Sequence, residues 1–597
     1  MKTLKKDFFW PLTFFKNSRA YFRDVILAHL FILIIAIPGL TLLTKFLLDQ
    51  TDSTYFSISN FPQAIYHQPI LFLAFILLLL TFLAILYLEF SFLLYSMFFI
   101  QKQQSVSVKK IFSLAKKQLK SLNAAVVFFF LFYIVLLFPF SFLPYRSDLL
   151  AKVQIPAFIL DYIFTNRWLF VVGFCLIYLF FLYLGYRLFF VLPDLILNRS
   201  TVKHAVRTSF ALTKKTFLFM LGSFGLLFLM ISLMNTLIFS IVSFSQFYFD
   251  RALPSISIYS AVFFMLCLQI MLVVSLVLTT FSSFYYMIFM MEKEKCLPEI
   301  DESLPASVSA TQLKMSKYLF LFLGILLSGA TLTYNFNYLQ AFSIKNPITI
   351  SHRGVSDKNG IQNTIPSLVK TSKEFHPDYV EMDVQETSDH HFIVFHDFNY
   401  NHLANKRLVP ERNTLETALN LTLKENGQTG KIPTFDDYLK AAQALNQKLL
   451  IEIKTQKKNP EAMVKRFLEQ YGSIIKKEHH QVQSLNYDVV EQMKTLSPSI
   501  KTGYITPFNL VSPPTTKGDF IVMEMTSLTT KYVSLVQKKG KEIYVWTPND
   551  KNTMERMMLY GVNGIITDRM DYLNQTKRDI HNISYADKLA FFVLGFG

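Results

Sequence analysis

The chain has 597 residues, of which 52% are hydrophobic, 16% aromatic and only 17% charged. That length allows several domains, and that composition excludes a single water-soluble globular unit. Nucleic-acid binding is excluded too, despite a net charge of +17: residues 1–344 hold 27 Lys and Arg against 14 Asp and Glu, whereas 345–575 hold 29 against 26. The basic excess therefore sits in the apolar half, where it orients helices in a bilayer, and no basic patch interleaved with aromatics stands out. The three cysteines, Cys175, Cys267 and Cys296, show no metal spacing and leave the second half without a disulfide.

In chain order, seven apolar segments come first, at 25–47, 70–100, 124–144, 168–190, 217–244, 259–291 and 318–334. A helix needs roughly 20 apolar residues to cross the hydrocarbon core, so each is expected to span. The first follows a basic, aromatic stretch (Lys5, Lys6, Trp10, Lys16, Arg19, Arg23) and has no small-residue cleavage site, which predicts a retained helix. The N-terminus and the loops 101–123, 193–216 and 292–317 carry 21 Lys and Arg, while the alternate loops 48–69, 145–167 and 246–258 carry 4. The positive-inside rule then puts the N-terminus in the cytoplasm, and seven crossings put everything after residue 335 outside the cell. Arg187 is expected to snorkel to the cytoplasmic face, and Glu89 admits a structural or a lipid-site role. Residues 107–120 and 201–215 are loosely alike and suggest amphipathic helices lying on anionic lipid.

After Asn337 the pattern changes. Strands are predicted at 347–351, 379–384, 392–395, 448–453, 480–485, 502–505, 520–524, 542–546 and 564–567. Helices are predicted near 363–375, 434–446, 460–475, 487–496, 529–539 and 551–560. This alternation predicts a parallel (β/α)₈ barrel, with nine strand candidates for eight places and a site at the C-terminal strand ends.

The polar residues cluster where that rule wants them. His352-Arg353-Gly354 follows the first strand, His396-Asp397 the third, and Glu381/Asp383 and Glu452/Lys454 are pairs two residues apart on strands. Residues at i and i+2 share a strand face. Three converging carboxylates need a cation between them, and hard oxygen ligands without Cys favour Mg²⁺ or Ca²⁺. His352 and His396 supply an acid and a base near neutral pH, and Arg353 and Lys454 balance an anion. Metal, two imidazoles and two cations describe phosphodiester cleavage.

HRG at 352–354, NT at 363–364, EMDVQETSD at 381–389, FHD at 395–397, PTFDDYL at 433–439, IEIK at 451–454, WTPN at 546–549 and GVNGIITDRMD at 561–571, in that order, resemble the glycerophosphodiester phosphodiesterase family. The first half is similar to the membrane domain fused to some bacterial members. The resemblance implies hydrolysis of glycerophosphodiesters to glycerol 3-phosphate and an alcohol, directly or through a cyclic phosphate. It implies His352 and His396 as the acid/base pair, Glu381, Asp383 and Glu452 as metal ligands, Arg353 and Lys454 as phosphate-binding residues, and Trp546 as an aromatic of the pocket wall.

Two departures stand out. The family's P-E-N-T is Ile361-Gln362-Asn363-Thr364 here, and its S-F after the fifth strand is Ser484-Leu485. The polar stretch 398–432 is either a head-group site or a solvated loop. Asp397 and Asp568 are expected to fix loops, and His376, His390, His391, His402, His479 and His480 to be structural.

The sequence thus predicts a multi-domain chain. An all-α polytopic membrane domain (1–340) precedes an α/β (β/α)₈ TIM-barrel phosphodiesterase domain (345–575) and a tail (576–597) that ends on an apolar stretch. The expected partners are a glycerophosphodiester substrate and membrane lipid. The rival readings are a lipid-handling or transport protein with a ligand-sensing barrel, and a related phospholipase C- or D-like phosphodiesterase.

Overall fold

The computed structural model describes residues 14–49, 69–104, 106–120, 124–137, 168–214, 216–299, 310–340, 346–457, 459–507, 513–580 and 583–595. Helix α1 (Phe14–Phe31) continues through a π-helical turn, Ile32–Ala36, into α2 (Ile37–Asp49). Then follow α3 (Pro69–Gln101), α4 (Val108–Leu119), α5 (Ala124–Leu137), α6 (Trp168–Arg187), α7 (Val191–Leu197), α8 (Val202–Thr213), α9 (Phe217–Ala252), α10 (Ser257–Lys293) and α11 (Ala310–Gln340). The predicted apolar segments fall on these helices, apart from 188–190, which form a turn after α6, and 138–144, which lie outside the described residues together with Lys5, Lys6, Trp10 and the loops 50–68 and 145–167. Five described stretches are long and apolar enough to cross a bilayer: Tyr21–Thr44, Phe72–Gln101, Val171–Leu197, Phe217–Ala252 and Ser257–Lys293.

With no apolar driving force between helices in lipid, close packing and polar contacts must hold the bundle. Tyr21 meets Phe281 edge-on at 4.2 Å between ring centroids. Gln269 and Asn335 exchange side-chain amide hydrogen bonds of 2.8 and 3.0 Å, which tie α10 to α11. Buried Asp24 accepts from Ser96 Oγ at 2.5 Å, a pairing of α1 with α3 that hydropathy does not reveal. Arg187 donates Nη2 to the Phe210 carbonyl at 3.0 Å and covers that ring, so it satisfies an end carbonyl of α8 in addition to any reach toward the interface. The two amphipathic stretches are helices α4 and α8, capped by Ser107 and Thr201.

The second half is a closed barrel. Its staves are β1 (Ile348–Ser351), β2 (Tyr379–Glu386), β6 (Leu449–Ile453), β7 (Gln481–Ser484), β8 (Thr502–Thr506), β9 (Phe520–Glu524), β10 (Glu542–Trp546) and β11 (Gly564–Thr567), all parallel, with β1 bonded to both β11 and β2. The surplus ninth candidate is β3 (Phe392–Val394), which runs antiparallel to β2 and is no stave. The hairpin β4 (Leu423–Glu425) and β5 (Gln428–Gly430) lies in the 398–432 stretch.

Around the staves lie α12 (Ile365–Phe375), α15 (Phe435–Ala444), α16 (Glu461–Lys477), α17 (Tyr487–Leu496), α18 (Thr530–Lys538), α19 (Lys551–Tyr560) and α20 (Met570–Asp579). The short helices α13 (Asn401–Ala404) and α14 (Leu415–Asn420) follow β3, and α21 (Tyr585–Gly595) ends the described chain. Strands buried on both faces read as nearly continuous apolar runs, as LLIEI and EIYVW do. Ile350, Leu450, Ile505, Phe520, Val522, Tyr544 and Ile566 fill the barrel interior.

Interior space at β8 is taken by Phe520, which stacks on Tyr544. A Cβ at Gly503 would lie 2.0 Å from the Phe520 ring. Gly503→Ala is expected to destabilise the barrel by about 1–3 kcal/mol through overpacking, read as a lowered thermal midpoint of the full chain in detergent; an unchanged midpoint would contradict this packing.

Candidate active site

Glu381 and Asp383 stand two apart on β2, and Glu452 on β6 is in register with Asp383. Each offers an oxygen within 4.8 Å of the others, and all three residues are buried. Glu381 Oε2 accepts the Arg353 backbone N–H at 2.9 Å, and Asp383 Oδ2 accepts Asn363 Nδ2 at 2.7 Å. Among the described residues, Asp383 Oδ1 and Glu452 Oε1 have no hydrogen-bond donor, and Lys454 Nζ stands 3.5 Å from each. Burial and the neighbouring carboxylates push Glu381 well up, and burial raises Glu452 to about 6. Burial works against ionised Asp383 as well, but His396, Lys454 and Arg353 outweigh it and hold that carboxyl well below its usual range.

Three carboxylates against Arg353 and Lys454 leave a net charge of −1. A divalent cation would reverse it to +1, and a phosphodiester monoanion would then neutralise the whole. Orphaned buried oxygens and an all-oxygen donor set fit a hard divalent cation.

The backbone around this cluster is forced into place. Arg353 has φ 51° and Asn363 φ 60°, left-handed conformations that cost a non-glycine residue of order 1–3 kcal/mol. They aim the Arg353 N–H at Glu381 and the Asn363 side chain at Asp383. Gly354, with φ 69°, sits in the left-handed region that favours glycine, and a Cβ there would press on Tyr438 Oη at 3.0 Å.

Both imidazoles are held at Nδ1 by a carboxylate: His352 by Asp568 at 2.8 Å, and His396 by Asp397 at 2.7 Å. Asn549 in turn donates Nδ2 to Asp568 at 2.8 Å. Burial opposes ionised Asp568 and Asp397, but the histidines and their other donors keep both carboxyls low. Each Nε2 is thereby left for another partner. The expectation that Asp397 and Asp568 only fix loops is too modest: they orient the two histidines. Asp568 follows β11 and His352 follows β1, and these staves are neighbours only because the barrel closes. His402, expected to be structural, stands 3.4 Å from the second Asp397 oxygen.

The 398–432 stretch also reaches the site. Arg353 Nη1 donates to Gln362 Oε1 at 2.6 Å, and Gln362 Nε2 donates to Glu425 Oε1 at 2.6 Å. Where the resembled motif has Glu, Gln362 thus relays to a carboxylate on the β4–β5 hairpin. Trp546 ends β10 and packs on the barrel interior. The structure therefore brings His352, Arg353, Glu381, Asp383, His396, Glu452 and Lys454 to one end of the barrel, with Trp546 on its wall.

Residues 11–339 match the family described as the membrane domain of glycerophosphoryl diester phosphodiesterase, and residues 352–572 match the glycerophosphoryl diester phosphodiesterase family. A glycerophosphodiester phosphodiesterase of Caldanaerobacter subterraneus is 29% identical over 232 residues, 37% of this chain and 93% of that protein. The Bacillus subtilis protein YhdW, provisionally named for the same activity, is 30% identical over 239 residues, 38% of this chain and 95% of its own length. The crystal structure of a glycerophosphodiester phosphodiesterase from Parabacteroides distasonis is 25% identical, covers 40% of this chain and 99% of its own, and superposes with a TM-score of 0.34.

Asp568→Asn keeps the shape but weakens the grip on His352. Turnover is expected to fall about 100-fold or more, as for a displaced reacting group, with little change in KM. Steady-state kinetics checks this, and a wild-type kcat would remove Asp568 from the site.

Proposed function

This chain belongs to the glycerophosphoryl diester phosphodiesterase family as a membrane-associated member, and on that premise we propose that His352 and His396 carry the proton transfers that release glycerol 3-phosphate and an alcohol. The observation that supports this most is the matched anchoring of both imidazoles at Nδ1 beside the buried triad.

Glu381, Asp383 and Glu452 would hold one Mg²⁺ or Ca²⁺, which supplies Lewis-acid polarisation of the phosphoryl oxygen when bound. Arg353 and Lys454 hold the phosphodiester anion by charge, Arg353 with a planar fork suited to two oxygens. Burial and the positive charges of Arg353 and Lys454 push His396 down to about 4. It is thus neutral at pH 7, and its Nε2 takes the proton of the attacking oxygen, whether from water or from the substrate glycerol. His352, fixed by Asp568, gives a proton from Nε2 to the alkoxide as the phosphorus–oxygen bond to the alcohol breaks. Trp546 forms an apolar wall against the glycerol side.

His352→Ala and His396→Ala should each lower glycerophosphocholine turnover by about 10²–10⁴-fold. A nitrophenol leaving group, which departs without a proton, should restore His352→Ala and not His396→Ala; full turnover of glycerophosphocholine by either variant would contradict the pairing.

The reading includes a topology of seven crossings, with the N-terminus in the cytoplasm and the barrel outside the cell, supported by the 21-to-4 loop asymmetry of Lys and Arg. Intact cells are then expected to hydrolyse added glycerophosphocholine as fast as lysed cells; activity that appears only on lysis would reverse the sidedness.

A further inference from the structure

The end of the barrel opposite the reacting groups holds a second recess, of about 440 Å³. Ile348 begins β1, Tyr379 begins β2 and Lys448 directly precedes β6, and all three line it. Four residues separate Tyr379 from Asp383 on β2 and Lys448 from Glu452 on β6, so about 13 Å of strand lies between recess and triad.

Two helix-to-strand turns shape this recess. His376 (φ 48°) ends α12 and Asn446 (φ 51°) follows α15, and their left-handed backbones stop each helix and swing the chain into β2 and β6. Buried Gln447 ties one turn to the other, since its Nε2 donates to the Pro377 carbonyl at 3.1 Å. Helix α20 closes a third side. It is held there by Asn574 Nδ2, which donates to the Phe375 carbonyl at 3.0 Å, and by Lys577 Nζ, which donates to the Pro347 carbonyl at 3.3 Å.

The charges of the lining do not balance. Asp378 is engaged with β1: its Oδ2 accepts the Thr349 N–H and the Thr349 hydroxyl, each at 2.8 Å. Lys448 and Lys577 line the recess, and among the described residues neither is paired with a carboxylate. Lys448 Nζ stands 5.9 Å from the Tyr379 ring centroid, and Lys577 keeps donors beyond the one given to Pro347. Ser372, in the last turn of α12, is only 6% exposed, lines the recess and has no hydrogen-bond partner for its hydroxyl. Helical hydroxyls commonly bond back to the carbonyl four residues earlier, as Thr495 does to Glu491 and Thr213 to Ser209. Ser372 does not, and its buried oxygen is left to whatever fills the recess.

We propose that this recess is a second, noncatalytic site, which binds a phosphate ester through Lys448, Lys577 and the Ser372 hydroxyl. Its volume falls in the range of small-molecule sites, about 300–1,000 Å³, but its mostly polar lining suits a charged, hydrophilic ligand. Two ammonium groups and a hydroxyl donate from different directions, without the planar fork of a guanidinium, which favours a tetrahedral oxyanion over a flat carboxylate. A free glycerol phosphate and a phospholipid headgroup share that chemistry.

The test is reductive methylation of the full chain, followed lysine by lysine with mass spectrometry. Exposed Lys440, on the neighbouring α15, is the internal control. In maltoside micelles, glycerol 3-phosphate and inorganic phosphate are each expected to slow methylation of Lys448 and Lys577 and to leave Lys440 unchanged. In the second arm the chain sits in phosphatidylglycerol nanodiscs without soluble phosphate. Protection in micelles assigns a free ester, and protection in the nanodiscs alone assigns a headgroup; either upholds the site. Ser372→Ala removes one hydrogen bond to a charged group and should raise the half-protection concentration about tenfold. Lys448→Gln, a change to an exposed side chain, should do the same when read at Lys577. No protection in either arm, protection matched by chloride at equal ionic strength, or an unchanged half-protection concentration in both variants overturns the proposal. The readout needs no turnover, so it stands apart from the phosphodiesterase reading.

Discussion

Three buried carboxylates within 4.8 Å of one another set the terms for the catalytic half of this protein. At an effective dielectric of about 20, each pair of charges at that distance repels by roughly 3 kcal/mol. Arg353 and Lys454 answer part of this, while burial, with the neighbouring carboxylates second, keeps Glu381 and Glu452 raised. A fold that brings these groups together pays a standing cost that a divalent cation removes. The local backbone is consistent with that pressure. A left-handed Arg353 offers its own N–H to Glu381, and a left-handed Asn363 braces Asp383.

The closed barrel makes the rest of the site from remote pieces of chain. Its last stave brings Asp568 to His352, across 216 residues of sequence. The hairpin after β3 brings Glu425 to Gln362 and thereby steadies Arg353. The strand starts lie at the far end, where two helix-to-strand turns and α20 shape the second recess. One topological fact, that strands begin at one end and end at the other, thus separates that recess from the chemistry.

Much of this was legible in the chain. The i, i+2 spacing of Glu381/Asp383 and Glu452/Lys454 announced shared faces, and the apolar runs announced helices. Other features escaped for physical reasons. The strand at 392–394 has the same composition as a stave, and only its antiparallel pairing shows that it is none. Asp397 and Asp568 look like ordinary turn acids until tertiary contact puts a histidine against each. Asp24 lies next to Arg23, just before the predicted apolar segment 25–47, and gives no hint of its bond to Ser96. The apolar tail had no evident target, because its groove is assembled from α9, α10 and α11.

The most direct test of the central claim is anomalous scattering from crystals of the enzyme grown with Mn²⁺ in place of the native ion. One strong peak is expected, coordinated by oxygens of Glu381, Asp383 and Glu452 at about 2.0–2.3 Å, and lost in Glu381→Gln crystals. A peak at other residues, or none with the triad fully ordered, would contradict the account.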